Sequence, residues 1–240
     1  MRMILPMRAL LLATAGLLAS NLNAEEKTQE SAPALEQLFN GHDLKGWKTP
    51  EDVAWAWSVK DGVIRGVTDE KAHGKELWSE REFGDFVLEL DWRFPDPPVK
   101  KMLKIILPNG DDALNEDGTK KKEERLVGGD SGILIRGDVM SQINIVCKST
   151  GSGELYGYRK KKPDMSPEVR AACVPKVAAD LPSGEWNHFK ITAKGDRVSV
   201  ELNGKLVIDH AQMPGLPVRG PIALQHHGEG IEFRNVTIRE

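Results

Sequence analysis

The chain has 240 residues, 40% of them hydrophobic and 29% charged, enough to bury one substantial core. Its 33 Lys and Arg almost balance 36 Asp and Glu, for a net charge of -3. That balance excludes a nucleic-acid binder working through a strongly basic surface, and Gly 23 with Pro 14 is too little for a collagen-like or low-complexity chain.

The N-terminus begins with Met1-Arg2 and Arg8, continues with an uncharged apolar run from Ala9 to Ala19, and passes through small residues to Asn23-Ala24 before the acidic Glu25-Glu26. This order is that of a secretory signal peptide cleaved after Ala24. The apolar run is too short for a bilayer span, which needs about 20 residues. The expected organisation is therefore a signal peptide over 1–24, a linker over 25–35 and one domain over 36–240. The mature protein is expected to be periplasmic or secreted, without membrane insertion. In that compartment the two cysteines, Cys147 and Cys173, can form a disulfide, and two separate buried thiols fit the sequence equally well.

From Leu38 onward the pattern is that of strands. Asp61-Gly62 separates Trp57–Lys60 from Val63–Val67 and predicts a tight hairpin. Between Phe86 and Phe94 the residues alternate, with Phe86, Leu88, Leu90, Trp92 and Phe94 on one face and Val87, Glu89, Asp91 and Arg93 on the other. Alternation recurs at Ile133–Arg136, Gln142–Val146, His188–Ala193 and Arg197–Leu202. Asn203-Gly204 then turns the chain into Lys205–Ile208, and the last strands are Ile222–Gln225 and Ile231–Ile238. Two stretches interrupt the rhythm: a charged loop over Asp111–Glu124, and a long Pro-bearing segment over Tyr158–Leu181 with room for one helical turn. Many short strands with turn signals predict an all-β sandwich of two antiparallel sheets.

Several motifs in this order resemble the 3-keto-disaccharide hydrolase family. They are Leu38-Phe39-Asn40-Gly41 through Gly46-Trp47, Trp57–Ile64, Gly84–Arg93, Asp130-Ser131-Gly132-Ile133 through Arg136-Gly137, Gly184–Asn187, Gly220–Gly228 and Glu232–Val236. Asp130 stands where the family usually has Asn, and Ser141 precedes Gln142 where many members carry Glu. The resemblance implies a concanavalin A-like jelly-roll fold and an enzyme acting on 3-keto-glycosides. A ketone at C3 acidifies the C2 proton, so a base can remove it, the C1 substituent can leave, and water can add back.

Such chemistry needs a base, an enolate stabiliser and a sugar groove. His227 or Asp91 is the candidate base, because imidazole and carboxylate are the usual proton acceptors near neutral pH. Arg136 is the candidate enolate stabiliser. Glu89, Gln142, Asn144, Tyr156 and Gln225 are candidate sugar-binding residues, Tyr156 by stacking on a ring face. Strand alternation directs Ile222, Leu224 and His226 inward and Gln225 and His227 outward, and it predicts that Arg136, Gln142 and Asn144 share a face. Conventional two-carboxylate glycoside hydrolysis is disfavoured, since Arg93 follows Asp91 where a further acid is needed. The alternative for Glu89, Asp91 and Arg93 is a solvated, ion-paired sheet face.

The Gly151–Gly157 loop lacks the glycine spacing and following helix of a dinucleotide site, and Arg159–Lys162 reads as a solvated basic rim. Asn115, Asp117, Gly118 and Glu124 suit later positions of a calcium loop, but Ala113 occupies the first. No cofactor is expected, a calcium ion in that loop being the one exception. The expected partner is a carbohydrate, with no role for nucleic acid. The alternative to an enzyme is a non-catalytic carbohydrate-binding or interaction module on the same fold.

Overall fold

The computed structural model describes residues 34–240, so the expected signal peptide and almost all of the linker lie outside the described residues. The strands are β1 (Glu36–Gln37), β2 (Trp47–Lys48), β3 (Trp57–Lys60), β4 (Val63–Gly66), β5 (Leu77–Phe83), β6 (Phe86–Arg93), β7 (Val99–Lys104) and β8 (Lys122–Val127). They continue with β9 (Ser131–Ile135), β10 (Asp138–Ile145), β11 (Asn187–Lys194), β12 (Arg197–Leu202), β13 (Lys205–Gln212), β14 (Gly220–Leu224) and β15 (Ile231–Arg239). One antiparallel sheet has the order β13-β12-β11-β6-β15-β4-β3, with β1 also on β15; the other is β10-β9-β14-β5-β2. Several neighbours, among them β11 and β6, β6 and β15, β15 and β4, and β9 and β14, are distant in sequence, as a jelly-roll sandwich requires.

The alternation of Phe86–Phe94 holds residue by residue: Phe86, Leu88, Leu90 and Trp92 are buried, and Val87, Glu89, Asp91 and Arg93 are half-exposed. The buried set meets Ile133, Ile135, Ile143, Ile145, Ile222 and Leu224 of the opposite sheet in one core. Burial of this apolar surface is the main stabilising term, at about 25 cal/mol per Å². Asp61-Gly62 and Asn203-Gly204 turn with positive φ at both residues (53° and 76°, 51° and 75°), the geometry expected of tight hairpins.

Arg136-Gly137 makes a third such turn, with φ of 51° and 71°. The strand expected to carry Arg136 therefore stops at Ile135, and a bulge follows before β10 regains register at Ile143. Ser141 fills that bulge. Its buried hydroxyl accepts from Ile135 N–H at 2.8 Å, and its one O–H is shared between the carbonyls of Asp138 and Ile135, at 2.6 and 2.8 Å. The residue at the position where relatives carry Glu thus serves the backbone.

The expected loop over 111–124 is partly ordered. β7 and β8 pair as a two-stranded ribbon, and bridges Ile106–Asp112 and Leu114–Lys120 continue the pairing toward its tip. The Lys-rich composition of β7 and β8 hides the period-two signal. In the 158–181 segment a π-helical turn, Gly157–Lys161, precedes a short helix, α1 (Pro167–Ala172), capped by the Ser166 hydroxyl.

Candidate functional site

The smaller sheet carries a cleft of about 390 Å³ on its outer face, walled by the β7–β8 ribbon and the π-helical turn. Its floor is polar. Gln142 and Asn144 project from β10, Asp130 from the residue before β9, and Gln225 and His227 from the exit of β14. Gln142 lies directly over β9 because residue 132 is glycine: a Cβ there would stand 2.8 Å from Gln142 Cγ and 3.0 Å from the Ile143 carbonyl oxygen.

The amides form a relay. Gln142 Nε2 donates to Gln225 Oε1 at 2.7 Å and to Asn144 Oδ1 at 3.3 Å. Ser131 Oγ donates to the Gln225 carbonyl and Gln225 N–H to the Gly132 carbonyl, which fixes the Gln225 backbone. Both acceptor oxygens are thus engaged, while the Asn144 and Gln225 NH₂ groups have no acceptor among the described residues. They are donors oriented for a ligand.

His227 stands at one end of the floor. Its ring lies 4.2 Å from that of His73, and its Nδ1 is 3.7 Å from Glu229 Oε2. Glu229 is itself held by Lys101 at 2.6 Å. Asp130 lines the same cleft without a hydrogen-bond or ion-pair partner among the described residues. Burial raises its pKa, against the pull of His227 and Lys148. A carboxyl in this setting keeps its proton to higher pH than an exposed one, which suits it to proton transfer. His226 points inward, as alternation predicts, and makes an edge contact with Trp57 at 5.1 Å. Burial pushes its pKa down to about 4 and keeps it neutral.

The opposite wall is charged. Glu154, almost fully buried, binds Lys148 at 2.6 Å and Arg159 in a short contact. Burial raises the Glu154 carboxyl, but the two cations outweigh it and hold it ionised. Arg159 and Lys160 also reach Asp112, at 3.5 and 2.9 Å, and Lys120 joins it at 2.7 Å. Tyr156 lines the cleft near Lys148 and Lys161, whose Nζ atoms lie 5.3 and 5.2 Å from its ring centroid. Gly157 is required here, since a Cβ would come within 2.1 Å of the Met140 carbonyl. The close approach of Gly157 to Met140 seats the π-helical turn against β10.

Of the residues predicted from sequence, His227, Gln142, Asn144, Tyr156 and Gln225 share this cleft. Three others do not line it. Asp91 lies on the outer face of the larger sheet, where it contacts His188 at 2.9 Å, Asn235 at 2.7 Å and Arg234 at 3.1 Å. Burial raises its pKa, but those hydrogen bonds prevail and lower it, so it is a poor proton acceptor. Glu89 shares that face, 3.8 Å from His188. Arg136 is 2% exposed and fastened to the turns at one end of the sandwich. It donates to the carbonyls of Gly84, Gly195 and Pro217 and pairs with Asp85 at 3.0 Å. The expected common face for Arg136, Gln142 and Asn144 fails because the positive-φ turn at Arg136 ends the pleat. Sequence reasoning did not select Asp130, His73, Lys148, Glu154 or Arg159. Asp130 had a signal in its place at the head of the Ser131-Gly132 motif, and Arg159 in the Arg159–Lys162 run, which reads as a solvated rim although Arg159 is buried.

Cys147 and Cys173 are separate thiols, and burial pushes both up to about 12. Asn115 and Asp117 spend their side chains on Thr119, and Glu124 pairs with Lys100. No group of three or more His, Cys, Asp or Glu among the described residues is arranged to hold a metal ion.

Two crystal structures of candidate glycosyl hydrolases from Parabacteroides distasonis ATCC 8503 share the fold. One has a TM-score of 0.57 at 23% identity, covering 86% of this chain and 83% of its own. The other has a TM-score of 0.53 at 19% identity, covering 85% and 93%. No curated protein matches the sequence significantly. The family model of the 3-keto-alpha-glucoside-1,2-lyase-like domain matches residues 34–239, and with the jelly-roll sandwich and its polar cleft this establishes that the chain belongs to that family.

Proposed function

We propose that this protein is an exported carbohydrate-active enzyme that cleaves 3-keto-glycosides. The observation that carries the reading is the gathering, in one cleft of a member of this family, of His227, Asp130, the two free amide donors and the Tyr156 ring. In this reading the sugar lies over Gln142, Asn144 and Gln225 with one face toward Tyr156. His227 removes the C2 proton, and the electron pair moves into the enolate of the C3 ketone. The Asn144 NH₂ and the Lys148 ammonium are the donors available for the enolate oxygen; Arg136, held at the end of the sandwich, is not. Expulsion of the C1 substituent then needs a proton at the departing oxygen, and Asp130, which burial biases toward the protonated form, supplies it. Addition of water at C1 and return of a proton to C2 completes a net hydrolysis.

The test compares one glucoside with its 3-keto derivative. Turnover of the 3-keto sugar with the parent glucoside inert supports the mechanism, since without the ketone the C2 proton is not acidic enough to remove. Equal cleavage of both sugars refutes it. Binding of both without turnover of either identifies a carbohydrate-binding module instead.

A further inference from the structure

The cleft is electrostatically lopsided. On the wall formed by the ribbon and the π-helical turn, the lining cations Lys148, Arg159 and Lys160, with Lys120 outside the lining, share two carboxylates, the lining Asp112 and the buried Glu154. Burial raises Asp112, yet hydrogen bonds from Lys120 and Lys160 outweigh it and hold this carboxyl far below the usual carboxylate range, as expected where positive charge is in excess. Two more cations border the same space, Lys104 from the end of β7 and Lys161 from the end of the π-helical turn, and neither has a carboxylate partner among the described residues. Lys161 stands over the Tyr156 ring, so a group stacked on that ring lies within its reach. A neutral glycoside would leave this excess charge uncompensated. Clefts lined by one sign of charge attract ligands of the other.

We infer that the preferred substrate is a glycoside carrying a carboxylate, held at the cleft rim by Lys104 and Lys161. Asp112 is already shared by three cations, so it cannot neutralise the rim. The anion's place is beside the Tyr156 ring, over which Lys161 stands. This inference rests on the reading of the cleft as a glycoside site, but it does not depend on the 3-keto chemistry. The carboxylate can belong to the sugar, as in a uronic acid, or to the departing group.

Equilibrium binding separates the two questions, because unreactive glucosides report affinity without turnover. Calorimetry on the mature protein would compare para-carboxyphenyl glucoside, its uncharged para-carbamoyl isostere and methyl glucuronoside. With two exposed cations engaged, the carboxylate should bind roughly 5–10-fold more tightly than the neutral isostere at low salt. That preference should shrink toward unity on going from about 25 to about 500 mM salt, as screening demands. In the Lys104→Gln/Lys161→Gln double variant the ratio of the two affinities should fall at least threefold, about the value of one exposed pair. Whichever acidic probe shows the preference identifies the source of the carboxylate. The inference is overturned if neither acidic probe binds more tightly than the isostere, or if the double variant keeps the wild-type ratio. Loss of the 3-keto turnover reading would leave these ratios unchanged, so the two failures are distinguishable.

Discussion

Gln142 Nε2 donates to Gln225 Oε1 across 2.7 Å, tying β10 to the exit of β14 over the intervening β9. The bond exists because Gly132 in β9 leaves room beneath it. Gly132→Ala should push Gln142 aside and break the relay that aims the Asn144 and Gln225 amides. Sugar affinity, read by calorimetry, should fall about tenfold, while overpacking costs about 1–3 kcal/mol of stability. Unchanged affinity would remove the relay from ligand binding.

His227→Ala should lower turnover of a 3-keto-glucoside by about 100-fold or more, the usual contribution of a positioned base. Affinity should survive, since Gln142, Asn144 and Tyr156 still hold the ring. Single-turnover kinetics with a separate binding measurement checks both. A variant with wild-type turnover would exclude His227 as the base.

Asp130 gives a prediction with a defined pH sense. Burial raises its folded-state pKa above the unfolded value of about 3.9. Its favourable contribution is therefore complete below the unfolded pKa and is lost as pH rises through the folded one. Asp130→Asn mimics the protonated form at every pH. The melting temperature of the variant should exceed that of the wild type by a margin that grows as pH rises above the unfolded pKa. Turnover should fall, since the amide cannot donate the proton to the leaving oxygen. A margin independent of pH would show that the carboxyl does not titrate with folding.

Arg136→Ala should act on stability and not on the chemistry. The substitution strips hydrogen bonds from the carbonyls of Gly84, Gly195 and Pro217, at a cost of about 3 kcal/mol or more. In a domain of this size that is a fall of roughly 6–12 °C in Tm. At temperatures where the variant is folded, KM for the 3-keto sugar should match the wild type. A normal Tm with lost turnover would return Arg136 to the reaction.

Much of the fold can be read from the residues. Phe86–Phe94 alternates so strictly that its buried face follows from sequence alone, and Asp61-Gly62 and Asn203-Gly204 announce their hairpins because these residues tolerate positive φ. The ribbon of β7 and β8 escaped, because five lysines and arginines among its strand residues obscure the pattern of a two-stranded element with little core to face.

For the site, local pattern was enough to direct Gln225 and His227 outward and His226 inward, because side chains alternate on any strand. It could not say which sheet's outer face holds the cleft. Asp91 and His227 both project outward, but from different sheets, and only the strand order separates them. Nor could it locate Arg136, whose fate depends on a turn that an Arg-Gly pair does not advertise and on three carbonyls 52, 59 and 81 residues away. The environment of Asp130 is tertiary for the same reason. Its burial and its nearness to His227 and Lys148 arise when segments far apart in the chain close over one floor. Sequence by itself determined most strands of the two sheets, the faces of their side chains away from the Arg136 turn, and the family. Tertiary structure decided which outward residues meet, because charge and burial depend on neighbours brought together across β9 and the ribbon.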